Sequence, residues 1–202
     1  MIFGNPTYES MVQVRNSRFL PIWEQLGVFT DLKQMQYPDV ETTKRELRHM
    51  VKLAEELTPE RYAYCQRVDR HLYTVMHELL AAHGINEPVA TIKSRVQEYE
   101  PVIDYLKMHY NRPRPFQTAG VYNIPLYPRL SSGMANSASY PSGHTLLALF
   151  FRHIYMMEHP ELAEPLMKFV LDVKKTREEG GVHYPSDSVF SIKIYKHIKE
   201  YL

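Results

Sequence analysis

Residues 139–151 read SYPSGHTLLALFF: a proline, a hydroxyl, a glycine and a histidine set directly before the most apolar run of the chain. That run, 146–151, behind a Pro-Ser-Gly start predicts a helix over about 142–158 with its apolar side in the core. Ser142 can cap the helix, and Gly143 leaves its N–H open to close approach. A helix start of this kind presents unsatisfied N–H groups and a partial positive charge, which suit a phosphate-like anion. His144 is the odd residue, because a cationic imidazole is disfavoured at that end of a helix. Two readings stand on this segment alone: a plain cap beside a surface histidine, or a neutral His144 hydrogen-bonded to a bound anion.

Working outward, the chain is helical in period and punctuated by proline and glycine. Residues 1–38, with Pro6, Pro21, Pro38 and scattered aromatics, are irregular and read as an N-terminal arm or a short-helix segment packed on the body. From Val40, the stripe Leu47, Met50, Val51, Leu53, Ala54 and Leu57 predicts an amphipathic helix. Thr58 and Pro59 offer an N-cap and a first-turn proline for a helix reaching about His83, where Gly84 stops it. Another helix follows Pro88, and Pro101 is expected to kink or split it. Arg112 and Arg114 each precede a proline, so 111–115 turns to extended geometry. Residues 116–140, rich in Gly, Pro, Asn, Ser and Tyr, read as a long loop, a length often tied to function in compact domains. Helices over about 161–179 and from Tyr184-Pro185 to the C-terminus complete the pattern, with Gly180-Gly181 between them. No alternating strand pattern and no repeat is visible. The expectation is all-α: a single-domain multi-helix bundle over 39–202, preceded by the arm.

The chain's 202 residues suit one domain with its own core. Lys plus Arg number 24 against 23 acidic residues, so no net field recruits a nucleic-acid polymer or an anionic membrane, and any cationic site must be a local cluster. Cys65 is the one cysteine; it excludes an intrachain disulfide and reads as a buried thiol. The N-terminus has no basic start followed by an apolar stretch, and no apolar run approaches the roughly 20 residues of a membrane span. A cytoplasmic location without a membrane span is therefore expected, and a homo-oligomer is left open.

Three segments at helix ends carry chemistry. KMHYNRPRPF places Lys107 at the end of a helix and Arg114 seven residues later; alone, such cations are usually solvated. SYPSGHT adds the anion-ready start with Ser142, Gly143 and His144. TREEGGVHYPSD ends one helix with Arg177 and brings His183 and Asp187 into the next. A histidine and an aspartate four apart share a helical face, so the carboxylate can hold one ring nitrogen and leave the other as nucleophile or base. Together the segments supply what phosphoryl transfer requires: cations for the equatorial oxygens, a nucleophile, and an acid for the leaving oxygen. The spacing of six between His77 and His83 does not place two zinc ligands on one helical face.

Lys107-x6-Arg114-Pro115, then Pro141-Ser142-Gly143-His144, then Arg177-x5-His183-x3-Asp187 resembles the three-part signature of the type 2 phosphatidic acid phosphatase (PAP2) superfamily, which also holds the vanadium haloperoxidases. Within it, HYNRPRPF, SYPSGHT and HYPSD are most similar to the soluble class A bacterial acid phosphatases. The resemblance covers roughly residues 100–200. It implies an all-α, metal-independent phosphatase needing no cofactor, in which His183 forms a phosphohistidine, Asp187 orients it and His144 protonates the leaving group. Lys107, Arg114, Arg177, Ser142 and the Gly143 N–H would hold the phosphate oxygens, and vanadate would inhibit as a phosphate mimic. Thr176 stands where the signature commonly has Ser, keeping a hydroxyl. The expected partner is a small phosphorylated substrate, nucleotides among the candidates. The alternatives are a vanadium-dependent haloperoxidase using the same site, or a non-catalytic module that binds a phosphorylated ligand.

Overall fold

In the computed structural model, which describes residues 20–130 and 137–202, the apolar run 146–151 lies in the central helix. The described residues form eleven α-helices and no strand: α1 Leu20–Gln25, α2 Thr30–Gln34, α3 Val40–Glu55, α4 Pro59–Arg70, α5 Leu72–Ala81, α6 Val89–Gln97, α7 Glu100–Tyr110, α8 Pro115–Ala119, α9 Gly143–Glu158, α10 Ala163–Glu179 and α11 Pro185–Ile198. In α9 every residue from His144 to Phe151 is buried, the all-round burial of a helix surrounded by others. It packs chiefly on α10 and α11 and touches α6 and α7. Phe150 stacks on Tyr99 with ring centroids 4.1 Å apart, while Phe151 meets Phe169 edge-on. Each such side chain contributes about 1.5–3 kcal/mol of burial, so α9 is the pillar on which both site-bearing neighbours rest.

Several expected boundaries hold for their expected reasons. Thr58 Oγ1 accepts the Arg61 N–H at 3.2 Å, capping α4 with Pro59 in its first turn. Pro101 separates α6 from α7, and Asn111 at φ 44° ends α7. Gly181, at φ +74°, makes the reversal between α10 and α11. Cys65 is fully buried. His77 and His83 each hold a main-chain carbonyl, of Glu87 and Leu79.

Two expectations change and a third is narrowed. The helix expected over 59–83 is two helices that break at His71 (φ −134°, ψ 40°). The carbonyl of Asp69 faces His144 Nε2 at 3.2 Å there, a tertiary demand that no local signal carries. Within the region read as a loop, 115–122 is helical. Pro115 opens α8, Gln117 Oε1 accepts the Arg114 N–H at 2.7 Å, and a 3₁₀ turn, Gly120–Tyr122, follows. Residues 131–136 of that loop lie outside the described residues. Of the two readings of the N-terminal segment, the short-helix one holds in its described part, which carries α1 and α2 in place of a wholly irregular arm, and Trp23, Val28, Phe29 and Leu32 join the main core; residues 1–19 lie outside the described residues. No helix among the described residues is long and apolar enough to cross a membrane.

Candidate active site

Helix ends bring the three segments together. Lys107 comes from the last turn of α7, Arg114 from the extended residue before α8, and Arg177 from the last turn of α10. Ser142, Gly143 and His144 form the start of α9, and Asp187 lies in the first turn of α11 with His183 just before it. Lys107, Arg114, Ser142, His144, Arg177, His183 and Asp187 are all buried. The arginines of NRPRPF, expected to be solvated when read alone, are therefore interior: Arg112 is 2% and Arg114 3% exposed. A burial of this kind demands partners, because an unpaired charge out of water is strongly unfavourable.

Those partners define two halves. In the first, His183 Nδ1 donates to Asp187 Oδ2 at 3.1 Å, and Asp187 Oδ2 also accepts the Tyr184 N–H at 3.0 Å. Since a carboxylate only accepts, Nδ1 carries the proton and Nε2 keeps its lone pair. Arg114 Nη1 lies 2.9 Å from that Nε2 and 2.7 Å from Val182 O, while its Nε and Nη2 reach Ser137 O at 2.7 Å and Ser137 Oγ at 3.1 Å. In the second half, Arg177 Nη2 pairs with Asp69 Oδ1 at 2.6 Å, and His144 Nε2 meets the Asp69 carbonyl at 3.2 Å. Between the halves stands Lys107, whose ammonium donates to Ala138 O. Gly143 permits the approach: a Cβ there would sit 3.3 Å from Ile103 Cγ2 and 3.7 Å from Lys107 Cε.

Among the described residues four buried side-chain nitrogens break the general rule that buried polar groups are hydrogen-bonded, and two of them, Arg177 Nε and Nη1, belong to this cluster. Donors left in this state, beside a histidine pair and two more cations, suit an anion with several oxygens. The charges tell the same story. Burial pushes Lys107 well below its ordinary range, and Arg114 adds to the shift while Asp187 opposes it. Burial likewise depresses His183, with Arg114, Lys107, Arg177 and His144 acting in the same direction. His144 is lowered by burial and then by Arg177, and Arg177 itself by burial against the pull of Asp69. A bound dianion would relieve all four at once.

Ser142 departs from its expected capping role. Its side chain makes no bond to the helix N–H groups; Oγ pairs with Thr145 Oγ1 at 2.9 Å, which donates on to Ser188 Oγ at 3.2 Å. Thr176 keeps its hydroxyl in the helix, on Val173 O at 2.7 Å. Neither Asp69 nor Arg112 is marked by the sequence as a site residue. Asp69 has no local signal, since its role depends on Arg177 and His144, both far along the chain. Arg112 did have one: two residues from Arg114 in pre-proline, extended geometry, it falls on the same side of the strand-like segment. Of the Tyr-rich loop, Tyr140 is buried and stacks on Phe190 at 4.2 Å, whereas Tyr127 is 75% exposed.

No protein-family model, curated protein or solved structure matches the chain.

Proposed function

We propose that this chain is a metal-independent phosphomonoesterase of the PAP2 type, close to the class A acid phosphatases in its site, acting on small organic phosphates through a phosphohistidine. The observation that carries the reading is the buried cluster of Lys107, Arg114 and Arg177 around two oppositely oriented histidines, with Arg177 Nε and Nη1 left unpartnered.

The geometry supports the following steps. Lys107, Arg114 and Arg177 take the non-bridging phosphate oxygens, with the N–H groups at the start of α9. His183 Nε2, its proton being on Nδ1, attacks phosphorus; an N–P bond forms and the ester P–O bond breaks, its electron pair leaving on the alcohol oxygen. His144 holds a proton on Nε2 against the Asp69 carbonyl, so Nδ1 is the nitrogen that takes up the proton of the substrate monoanion and passes it to that oxygen. Water, giving its proton back to His144, then cleaves the N–P bond and releases phosphate. Asp187 stabilises the positive ring of the intermediate.

Hydrolysis of p-nitrophenyl phosphate and of nucleotide, sugar and lipid phosphates in EDTA tests the reading. Turnover of the small esters is expected, with vanadate inhibiting. A folded preparation silent from acid to neutral pH ends it, and peroxide-dependent halide oxidation after vanadate loading would move the site to the haloperoxidase reaction.

A further inference from the structure

Asp187 is held on both oxygens. Oδ2 accepts from His183, from the Tyr184 N–H and from the Ser139 hydroxyl, and Oδ1 accepts from Arg112 Nη1 at 2.7 Å. Arg112 is itself fixed on every side. Its Nη1 also donates to Ser186 Oγ at 2.8 Å, and its Nη2 reaches Thr43 Oγ1 and Glu46 Oε2, each at 3.3 Å. The guanidinium lies 3.7 Å from the centroid of the Tyr184 ring. Glu46 closes the circuit from α3, with Oε1 accepting the Ser186 N–H at 2.7 Å and Oε2 accepting Ser186 Oγ at 2.8 Å. Ser186 is the second residue of α11, so the same carboxylate secures the helix that carries Asp187.

The geometry points to Arg112 as a positioning residue for His183, braced by Glu46: together they hold the Asp187 carboxylate in one orientation, and through it the imidazole. Its kinetic consequence rests on the phosphatase reading; the clamp itself does not. The role of α3 is thereby specific, since it furnishes the outermost member of a chain His183–Asp187–Arg112–Glu46. Burial pushes the Asp187 carboxyl up, and Arg112, the Ser139 hydroxyl and the Tyr184 N–H pull it back. Lys107 from α7, Tyr140 before α9, and His183 and Tyr184 at the start of α11 also face it. Without the guanidinium, a carboxylate 0% exposed takes up a proton at higher pH and no longer supports a positive imidazole. Lysine in place of Arg112 would supply charge without the planar fork.

The experiment is a ¹³C titration of the Asp187 carboxyl carbon in the wild type, Arg112→Gln, Arg112→Lys and Glu46→Gln, with circular dichroism at each pH to follow folding. The midpoint is expected to rise by about one pH unit or more in Arg112→Gln, and by less in the other two. The acid limb of kcat/KM should move up with it, and Arg112→Lys should recover the position of the limb more fully than it recovers kcat. If Arg112→Gln does not fold, the two milder variants decide, with smaller shifts in the same direction. A midpoint unmoved in every folded variant overturns the clamp. A wild type without turnover ends the phosphatase reading and leaves the titration to judge the clamp.

Discussion

The two histidines are held by different kinds of acceptor. His183 donates to a carboxylate four residues away, within one helix start, whereas His144 meets a main-chain carbonyl 75 residues distant. Both acceptors set a tautomer, and they set opposite ones: Nε2 keeps the lone pair in His183, Nδ1 in His144. Only the carboxylate also stabilises positive charge on the ring. That difference suits His183 to become a phosphorylated, cationic imidazole, and His144 to pass a proton and return to neutrality. Asp69 ties the second half together, since its side chain holds Arg177 while its carbonyl holds His144.

The largest effect should come from deleting the carboxylate-supported side. His183→Ala is expected to abolish turnover of p-nitrophenyl phosphate while phosphate still binds, as measured by calorimetry. Surviving turnover would break the assignment of the nucleophile. His144→Ala should lower kcat by about 10²–10⁴ on an alkyl phosphate. The loss should be far smaller on p-nitrophenyl phosphate, whose leaving group departs without help. Equal losses on both substrates would remove His144 from the acid role.

Asp69→Asn keeps the carbonyl that orients His144 and removes the charge that faces Arg177. Breaking a buried pair in this way is expected to destabilise by about 3–5 kcal/mol in phosphate-free buffer. Added phosphate should recover more stability in the variant than in the wild type, because an anion can then take the place of the carboxylate; a thermal melt with and without phosphate reads both. A ligand at a hundred times its Kd contributes about 2.7 kcal/mol by mass action.

The smallest and most diagnostic effect is on pH. Burial and the neighbouring cations hold His183 below the ordinary 6.5, so its attacking form persists into mild acid and the acid limb of kcat/KM should lie below pH 6.5. In the proposed reaction the proton for the leaving group must still enter a site whose histidines are held below their ordinary pKa, and the substrate monoanion would bring it. Since the second pKa of a phosphate ester is about 6, kcat/KM should decline above that value. A profile rising into alkali would contradict both inferences. The same depression carries a stability signature: with folded values below unfolded ones, the two histidines leave stability intact above about pH 6.5 and erode it as pH falls toward their folded values.

Much of this was legible in local signals. Thr58-Pro59, Pro101, Gly180-Gly181 and the apolar run 146–151 mark boundaries through backbone restrictions that act over a few residues. The i, i+4 pairing of His183 with Asp187 is likewise a property of one helical turn. Boundaries failed where a distant group made the decision. The break at His71 serves a carbonyl turned toward His144, and the short helix α8 hides in a composition that otherwise reads as loop.

Order and spacing along the chain thus determined which residue types could meet: cations at helix ends, a helix start open to an anion, and a histidine four residues from its aspartate. Tertiary structure alone decided that Asp69 joins Arg177 to His144, and that Glu46 and Arg112 brace Asp187. Those contacts span helices far apart in sequence. They follow from the demand that every buried charge find a partner, and which partner lies within reach is settled only when the helices pack.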